Sequence, residues 1–356
     1  MIIMVGPFPL PIHGQSLINQ RVADRLSAEN LPMVICNTSP RLGTVAWQYH
    51  WSRFLAYLRC GRVILQGKQG KSTAVYLSLS GGFGLIYEVF IVALARALRH
   101  QIIFHHHSFA YLNKRSILMR AIIIAAGRAQ LHIALCSLMA ARLIELYDSR
   151  LSTLVVSNWA FFDGPALEDS RSERALAAIG YLSNISFEKG IDRFLDIMAE
   201  LRARGSRVRA RIAGPFGDSA IESYVRTRID QIGAIDYVGP VYGAKKSEFL
   251  SSIDLLVFPT RYVHEAEPLV IYEAQAAGVV VAASDRGCIC EMIPAELKLD
   301  PTASDIRGIV EQILAWETAP SGFLAALRGA WDRRSALAEL QSTEYQKFRN
   351  AFIRYR

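Results

Sequence analysis

Nowhere do the 356 residues contain the uninterrupted apolar run of roughly 18 to 20 residues that a spanning helix requires. The most apolar stretches, 82–95 and 116–126, are broken by Glu88 and Arg120, so no membrane-spanning segment is expected. A basic segment ahead of the first apolar residues is also missing. Residues 1–5 run straight into a Pro- and Gly-containing loop, which gives no secretory signal and predicts a chain that stays in the cytoplasm. Cysteine is sparse and odd in number: Cys36, Cys60, Cys136, Cys288 and Cys290 lie mostly inside apolar runs, which favours a reduced compartment over a disulfide framework. Cys288 and Cys290 have no second Cys or His pair nearby to complete a zinc site, and both are read as ordinary residues. Low-complexity tracts and repeats of roughly 20 to 50 residues are absent as well.

What is present is a globular composition. Hydrophobic residues make up 51% and charged residues 20%, too apolar and too weakly charged for a disordered chain. The length, more than twice a usual domain, predicts two cores. The formal charge of +8 is unevenly spread. Through Val155 there are 16 Lys and Arg against 5 Asp and Glu, a formal +11, whereas the rest of the chain carries 24 against 27. A cationic amino-terminal half suits anionic lipid, a lipid pyrophosphate or nucleic acid, or is simply a solvated basic face.

Short apolar runs at 2–5, 33–36, 74–79, 101–106 and 131–136 suit strands buried on both faces. Helix-length segments at 14–26, 82–99, 113–128 and 137–147 separate or follow them, and this alternation predicts a parallel, doubly wound sheet. The pattern lapses between Asn158 and Ala175, at an Asp-Gly-Pro turn (163–165) and a charged run (168–174). It resumes with strands expected at 179–182, 208–213, 235–238, 255–258 and 279–283. From Ser321 onward the sequence reads as helix, and 336–355 is long enough to cross back over a domain. The expected division is 1–160, joined by the terminal helix at about 337–356, and 175–336. Two such domains facing each other would leave a cleft at the carboxyl ends of their strands.

The most informative segment is His264-Glu265-Ala266-Glu267-Pro268-Leu269-Val270-Ile271-Tyr272-Glu273-Ala274, just after the strand at 255–258. A helix beginning near Pro268 leaves Glu265 in the preceding loop and puts Glu273 one to two turns inside. One carboxylate can then meet a sugar and the other a ribose, while the helix tip at Pro268, Leu269 and Val270 faces a pyrophosphate.

This segment resembles the E-x7-E signature of family 4 glycosyltransferases, enzymes of the GT-B fold that retain anomeric configuration. The resemblance implies that Glu265 contacts hydroxyls of the donor sugar and Glu273 the nucleotide ribose. Ala266-Glu267-Pro268-Leu269 stands where the family has Gly-x-Gly-Leu. The small-residue helix end 274–278 and the Gly-containing loop 284–291 follow as in the family, with Val280 where Pro is usual.

Upstream, Leu182-Ser183-Asn184 followed by Glu188-Lys189-Gly190 is similar to the family's G-R-x4-K-G loop, whose Arg and Lys neutralise the donor diphosphate. Lys189 fits, whereas Asn184 occupies the Arg position, so neutralisation would lean on Lys189 and the helix that follows. Gly214, and Lys245 after Val238-Gly239-Pro240, stand where the family has loops around the nucleotide base. In the first domain, the loop after the first strand opens a helix at Gly14, a position the resemblance assigns to close approach of backbone to the transferred sugar and its phosphate. His105-His106-His107 ends the fourth strand. Alternate side chains of an extended segment point to opposite sides, which makes the triplet a poor metal set. The resemblance makes His107 the active-site histidine, with His105 next, in polar contact with the donor sugar.

Taken together the resemblance implies a retaining hexosyltransferase that uses a UDP- or GDP-sugar, no cofactor and no metal. Its acceptor would be a glycan or a lipid-linked molecule of cell-surface polysaccharide synthesis, met by the basic first domain, peripheral on the inner face of an anionic membrane. The competing readings are a GT-B nucleotide-sugar epimerase and a non-catalytic protein that binds sugar or nucleic acid. No helix-turn-helix, zinc-finger or RNP-like pattern supports nucleic acid as the partner.

Overall fold

A computed structural model describes residues 1–39, 46–67, 73–128, 130–163, 173–302 and 305–353. The chain forms two compact units. The first comprises Met1–Asp163, His264–Glu267 and Leu340–Arg356; the second comprises Gly164–Val263 and Pro268–Glu339. Most of the Asp-Gly-Pro turn and of the charged run expected at the boundary lies outside the described residues.

In the first unit the elements run β1 (Ile2–Gly6), α1 (Gly14–Ala28), β2 (Met33–Asn37), α2 (Ala46–Gln66), β3 (Ala74–Leu79), α3 (Leu85–Ala97), β4 (Gln101–His106), α4 (Ile117–Ala126), β5 (Gln130–Ala134), α5 (Ser137–Leu146) and β6 (Thr153–Val155). All six strands are parallel in the order β2-β1-β3-β4-β5-β6, with Ile2 of β1 in register with Met33 on one side and Ala74 on the other. β1, β3 and most of β4 are buried along their length, because crossover helices cover both faces of a parallel sheet. Phe348 and Phe352, from the terminal helix, pack edgewise or tilted against Tyr76, and Phe348 also meets Phe161. That aromatic layer is why 340–353 belongs to this unit.

The second unit runs β7 (Ala178–Leu182), α6 (Ile191–Ala203), β8 (Arg209–Ala213), α7 (Ser219–Ile232), β9 (Ile235–Tyr237), α8 (Ala244–Ser251), β10 (Leu255–Phe258), α9 (Leu269–Ala276), β11 (Val280–Ser284), α10 (Ile289–Met292), β12 (Lys298–Leu299) and α11 (Arg307–Thr318). The long α12 (Pro320–Ile353) starts in this unit and ends in the other. Its sheet is again parallel, in the order β12-β11-β10-β7-β8-β9. Ile179, Tyr181, Phe194, Ile212, Val257 and Trp316 are among the side chains that close its core.

Most elements fall where hydrophobic periodicity puts them, and the exceptions have local causes. The helix expected at 82–99 opens instead with a 3-10 turn at Gly82–Gly84. The one expected at 113–128 begins at Ile117, because Ser116 caps it by accepting from the Met119 amide. β6 and β12, of three and two residues, carry no apolar run long enough to announce a strand.

Candidate functional site

In both sheets the strand order reverses next to the first strand of the unit: between β1 and β3, and between β7 and β10. At such a point the two flanking loops leave in opposite directions and open a crevice at the carboxyl edge, where ligands of doubly wound sheets bind. The predicted residues are distributed over these two edges.

At the edge of the second unit, the loop after β7 turns sharply at Gly190, whose φ of +79° is left-handed and which caps α6. A Cβ there would lie 2.0 Å from the carbonyl oxygen of Pro259, so only glycine lets the loops after β7 and β10 come this close. The Arg261 amide donates to the Glu188 carbonyl at 2.8 Å, and the Arg261 guanidinium reaches the Phe187 carbonyl and both carboxylate oxygens of Asp192. Lys189 is half-buried, its Nζ 4.8 Å from the centre of the Tyr262 ring and 5.8 Å from that of Phe258. Two aromatic faces thus hold the ammonium at the mouth of the loop by cation–π attraction. Asn184, five residues earlier, is exposed.

Beside this loop, Gly214 ends β8 with φ +136°, and a Cβ would meet the Ser183 carbonyl oxygen at 1.7 Å. Its carbonyl accepts from the Tyr237 hydroxyl at 2.9 Å. Pro268 caps α9, so the amides of Leu269 and Val270 lie in a first turn that has no intrahelical acceptors. Glu273, one turn in, accepts from Lys246 Nζ at 2.8 Å. Lys245, the lysine singled out by sequence, is exposed.

The edge of the first unit has a different chemistry. His13 caps α1: its Nδ1 accepts from the Ser16 amide at 3.3 Å, while Ser16 Oγ accepts from the His13 amide at 3.0 Å. Gln15 donates to Ser78 Oγ and to the Ser78 and Leu79 carbonyls, tying the start of α1 to the end of β3 across the switch point. Gly14 begins the helix with no atom within 4 Å of where a Cβ would stand. His105 and His107 project to the same side, their ring centres 4.1 Å apart. His105 Nδ1 shares a 2.6 Å hydrogen bond with the Tyr76 hydroxyl, whereas Nε2 of both His105 and His107 is shut away from solvent without a protein partner. Burial, with His13 close by, pushes His107 down to about 3, and burial, with His107 and His106 close by, holds His105 well below the usual range, so both rings are neutral. His106 points the other way, its Nδ1 bonded to the Tyr111 hydroxyl at 2.9 Å and its Nε2 to His132 at 2.9 Å. The two acidic residues of the E-x7-E segment belong to different units, Glu265 to the first and Glu273 to the second.

Residues 168–328 match the family model for glycosyl transferases, group 1. The matched stretch contains Asn184, Lys189, Gly214, Lys245, Glu265, Pro268, Leu269, Val270 and Glu273; Gly14, His105 and His107 lie outside it. Among solved structures the chain is similar to Anabaena Alr3699/HepE in complex with UDP, at a TM-score of 0.72 and 15% identity over 99% of each chain. The same protein in complex with UDP-glucose gives 0.68 and 15% over 98% of this chain and 100% of that one. The lipopolysaccharide outer core galactosyltransferase WaaB, in its apo form, gives 0.67 and 14% over 99% of each chain. At these identities the likeness concerns fold, and the fold is GT-B. No curated protein matches the sequence.

Several residues that shape these edges escape sequence reading. Lys246 reaches Glu273 where Lys245 does not, since adjacent helical residues point about 100° apart. Glu267 is buried and accepts from the Asn158 amide at 2.6 Å, so a carboxylate in the Gly-x-Gly-Leu position fastens the backbone. Arg261 and Gln15 clamp their switch points from positions that no motif marks.

Proposed function

We propose that the chain is a retaining, metal-independent hexosyltransferase. It takes a hexosyl unit from a UDP- or GDP-sugar and passes it to a glycan or lipid-linked acceptor of cell-surface polysaccharide. It would work in the cytoplasm, against the inner face of the membrane. The observation that carries this reading is the crowded switch point of the second unit. There Lys189 is held on two rings just before α6, and the same sheet edge carries the first turn of α9, which has no side-chain cap, and the Lys246–Glu273 pair.

Such an edge suits a nucleoside diphosphate. Lys189 and two helix amino termini supply positive potential for the phosphates, and Glu273 supplies an acceptor for ribose hydroxyls. As the bond to the anomeric carbon breaks, charge accumulates on the departing diphosphate, and fixed cations and dipoles lower the barrier without a metal ion. In the first unit, neutral His107 offers a donor to a sugar hydroxyl and adds no charge beside the cationic anomeric carbon. Glu265 is assigned to the sugar hydroxyls. Attack on the face of the leaving group, with a phosphate oxygen taking the acceptor proton, gives retention. HepE supports a UDP-linked donor, having been crystallised with UDP-glucose, and WaaB supports a surface glycan as acceptor.

A thermal-shift screen of UDP-, GDP- and ADP-sugars tests the reading. One donor at a hundredfold excess over its Kd should add about 2.7 kcal/mol to stability. Glu273→Gln should abolish most of that shift, and NMR of the product should show retained configuration. Absence of a shift with every donor would sink the proposal; isomerised sugar without acceptor would favour the epimerase.

A further inference from the structure

Three consecutive crossover helices of the first unit, α2, α3 and α4, connect strands that step the same way along the sheet, from β2 to β3, β4 and β5. Right-handed crossovers put all three on one face of that sheet. Their outward surfaces share an unusual composition. On α4 the exposed positions Ile117, Arg120, Ile124 and, just past its end, Arg128 are spaced three, four and four apart, one stripe of alternating isoleucine and arginine. Phe83 and Phe90, on the turn leading into α3 and on α3 itself, are 81% and 70% exposed, with Ile86 between them and Arg96 and Arg99 beyond. α2 exposes Trp51, Phe54 and Leu58 on one side, followed by Arg59 and Arg62.

No exposed carboxylate interrupts this surface. Between Glu29 and Glu145 the only acidic residue is Glu88, and it is buried, accepting from the Ser80 amide and hydroxyl and from the Tyr57 hydroxyl. The same span holds thirteen Lys and Arg. Large aromatic and aliphatic side chains left in water are costly, and like charges without counter-charges repel, so such a face needs an apolar and anionic partner together.

We infer that the outer face of α2, α3 and α4 docks on an anionic lipid bilayer, with Phe83, Phe90, Ile117 and Ile124 entering the acyl boundary and the arginines meeting the headgroups. This takes up the membrane location of the proposed function but owes nothing to the transfer chemistry. A second copy of the chain is a poor occupant, because a twofold interface would oppose arginine to arginine with no carboxylate to pair. A duplex nucleic acid would engage the arginines yet leave the aromatic and isoleucine side chains in water.

The test is co-sedimentation of the full chain with vesicles of phosphatidylcholine alone or mixed with phosphatidylglycerol, at low and high salt. The wild type should bind the mixed vesicles and be released by salt. Phe83→Ser/Phe90→Ser and Arg120→Gln/Arg128→Gln should each weaken partitioning by about ten- to thirtyfold. Leu340→Ser, at an exposed apolar position elsewhere, should bind as the wild type does. All variants should keep the wild-type melting temperature, since the altered residues are exposed. No binding at low salt overturns the inference, as do variants that bind undiminished or a dimer that Phe83→Ser/Phe90→Ser dissociates. Vesicle binding without stabilisation by any sugar nucleotide would leave this surface standing and remove the enzymatic reading; the opposite pair of results would do the reverse.

Discussion

The two units are both six-stranded parallel sheets with a switch point beside their first strand, in different strand orders, but they handle charge in opposite ways. All eight histidines of the chain lie in the first unit, and its candidate edge is built from neutral rings, a glutamine and a helix start capped by His13. The edge of the second unit has no histidine and is made of ion pairs and a cation on aromatic faces: Lys246 with Glu273, Arg261 with Asp192, Lys189 on Tyr262. The formal surplus of +11 in the first half therefore does not mark the edge that the sequence motifs select. Its arginines lie on the outer helices instead, while the interior behind His107 is kept uncharged. In a two-substrate reaction of the proposed kind, fixed charge belongs where the leaving diphosphate sits, and neutral polar groups belong where the sugar must develop positive charge.

Acid should separate the units most clearly. His105, His106 and His132 are fully buried, and burial holds each of them below the usual histidine value, His132 at about 3. In the unfolded chain they would take up protons near 6.5. The unfolded state therefore binds more protons as pH falls below 6.5, and the stability these neutral rings contribute above that pH is progressively lost, at about 1.4 kcal/mol per pH unit for each. Glu88 runs the other way. Burial raises it to about 7, so between about 4.5 and 7 it binds a proton more readily folded than unfolded, and over that window its effect offsets one histidine. The net loss from these four groups alone is about 3 kcal/mol per pH unit below 6.5, a large share of a typical stability. Hydrogen exchange followed segment by segment, corrected for intrinsic rates, should show β3, β4 and β5 losing protection between pH 6.5 and 5 while β7, β8 and β10 keep theirs. Parallel loss in both units would break the comparison.

A smaller effect sharpens it from the other side. Gly190 and Gly205 both have φ near +80°, but a Cβ at 190 strikes the Pro259 carbonyl oxygen while a Cβ at 205 meets nothing within 4 Å. Gly205→Ala should cost about 1 kcal/mol, the usual penalty for the left-handed region, and leave donor binding alone. Gly190→Ala should cost about 2–4 kcal/mol and weaken the donor as well, because the loops that position Lys189 must part. Melting temperatures and donor titrations of the two variants separate loop crowding from backbone strain. Equal losses would mean that the close approach of the loops after β7 and β10 has no energetic weight.

Sequence reading reached the architecture because strands buried on both faces leave unbroken apolar runs, as in β1, β3, β7 and β10, and because Pro268 marks the start of α9. The side to which each histidine of the triplet points was legible too, since the two-residue period of an extended chain puts His105 and His107 together. What escaped depends on partners distant in sequence. Nothing near Lys246 says that it, rather than Lys245, faces a carboxylate 27 residues away. Nor does the local sequence show that Glu267 is needed by the Asn158 amide. β6 and β12 escaped because they are shorter than any hydrophobic period that could reveal them.

Asn184 offers the finest test, since it is a neutral amide at the charged edge of the second unit, in the loop that carries Lys189. It is exposed, so replacement should change folding stability by less than about 0.5 kcal/mol. If the donor diphosphate rests beside the loop from Ser183 to Gly190, Asn184→Arg adds a cation within reach of a phosphate oxygen. A solvent-screened, charge-assisted bond of this kind should tighten the donor by about three- to tenfold, less at high salt. Asn184→Asp should weaken it by a similar factor. Calorimetric titration of the three proteins with the donor reads the difference directly. If neither substitution moves the affinity, the diphosphate does not lie next to residue 184, and Lys189 with the helix tips must carry its charge unaided.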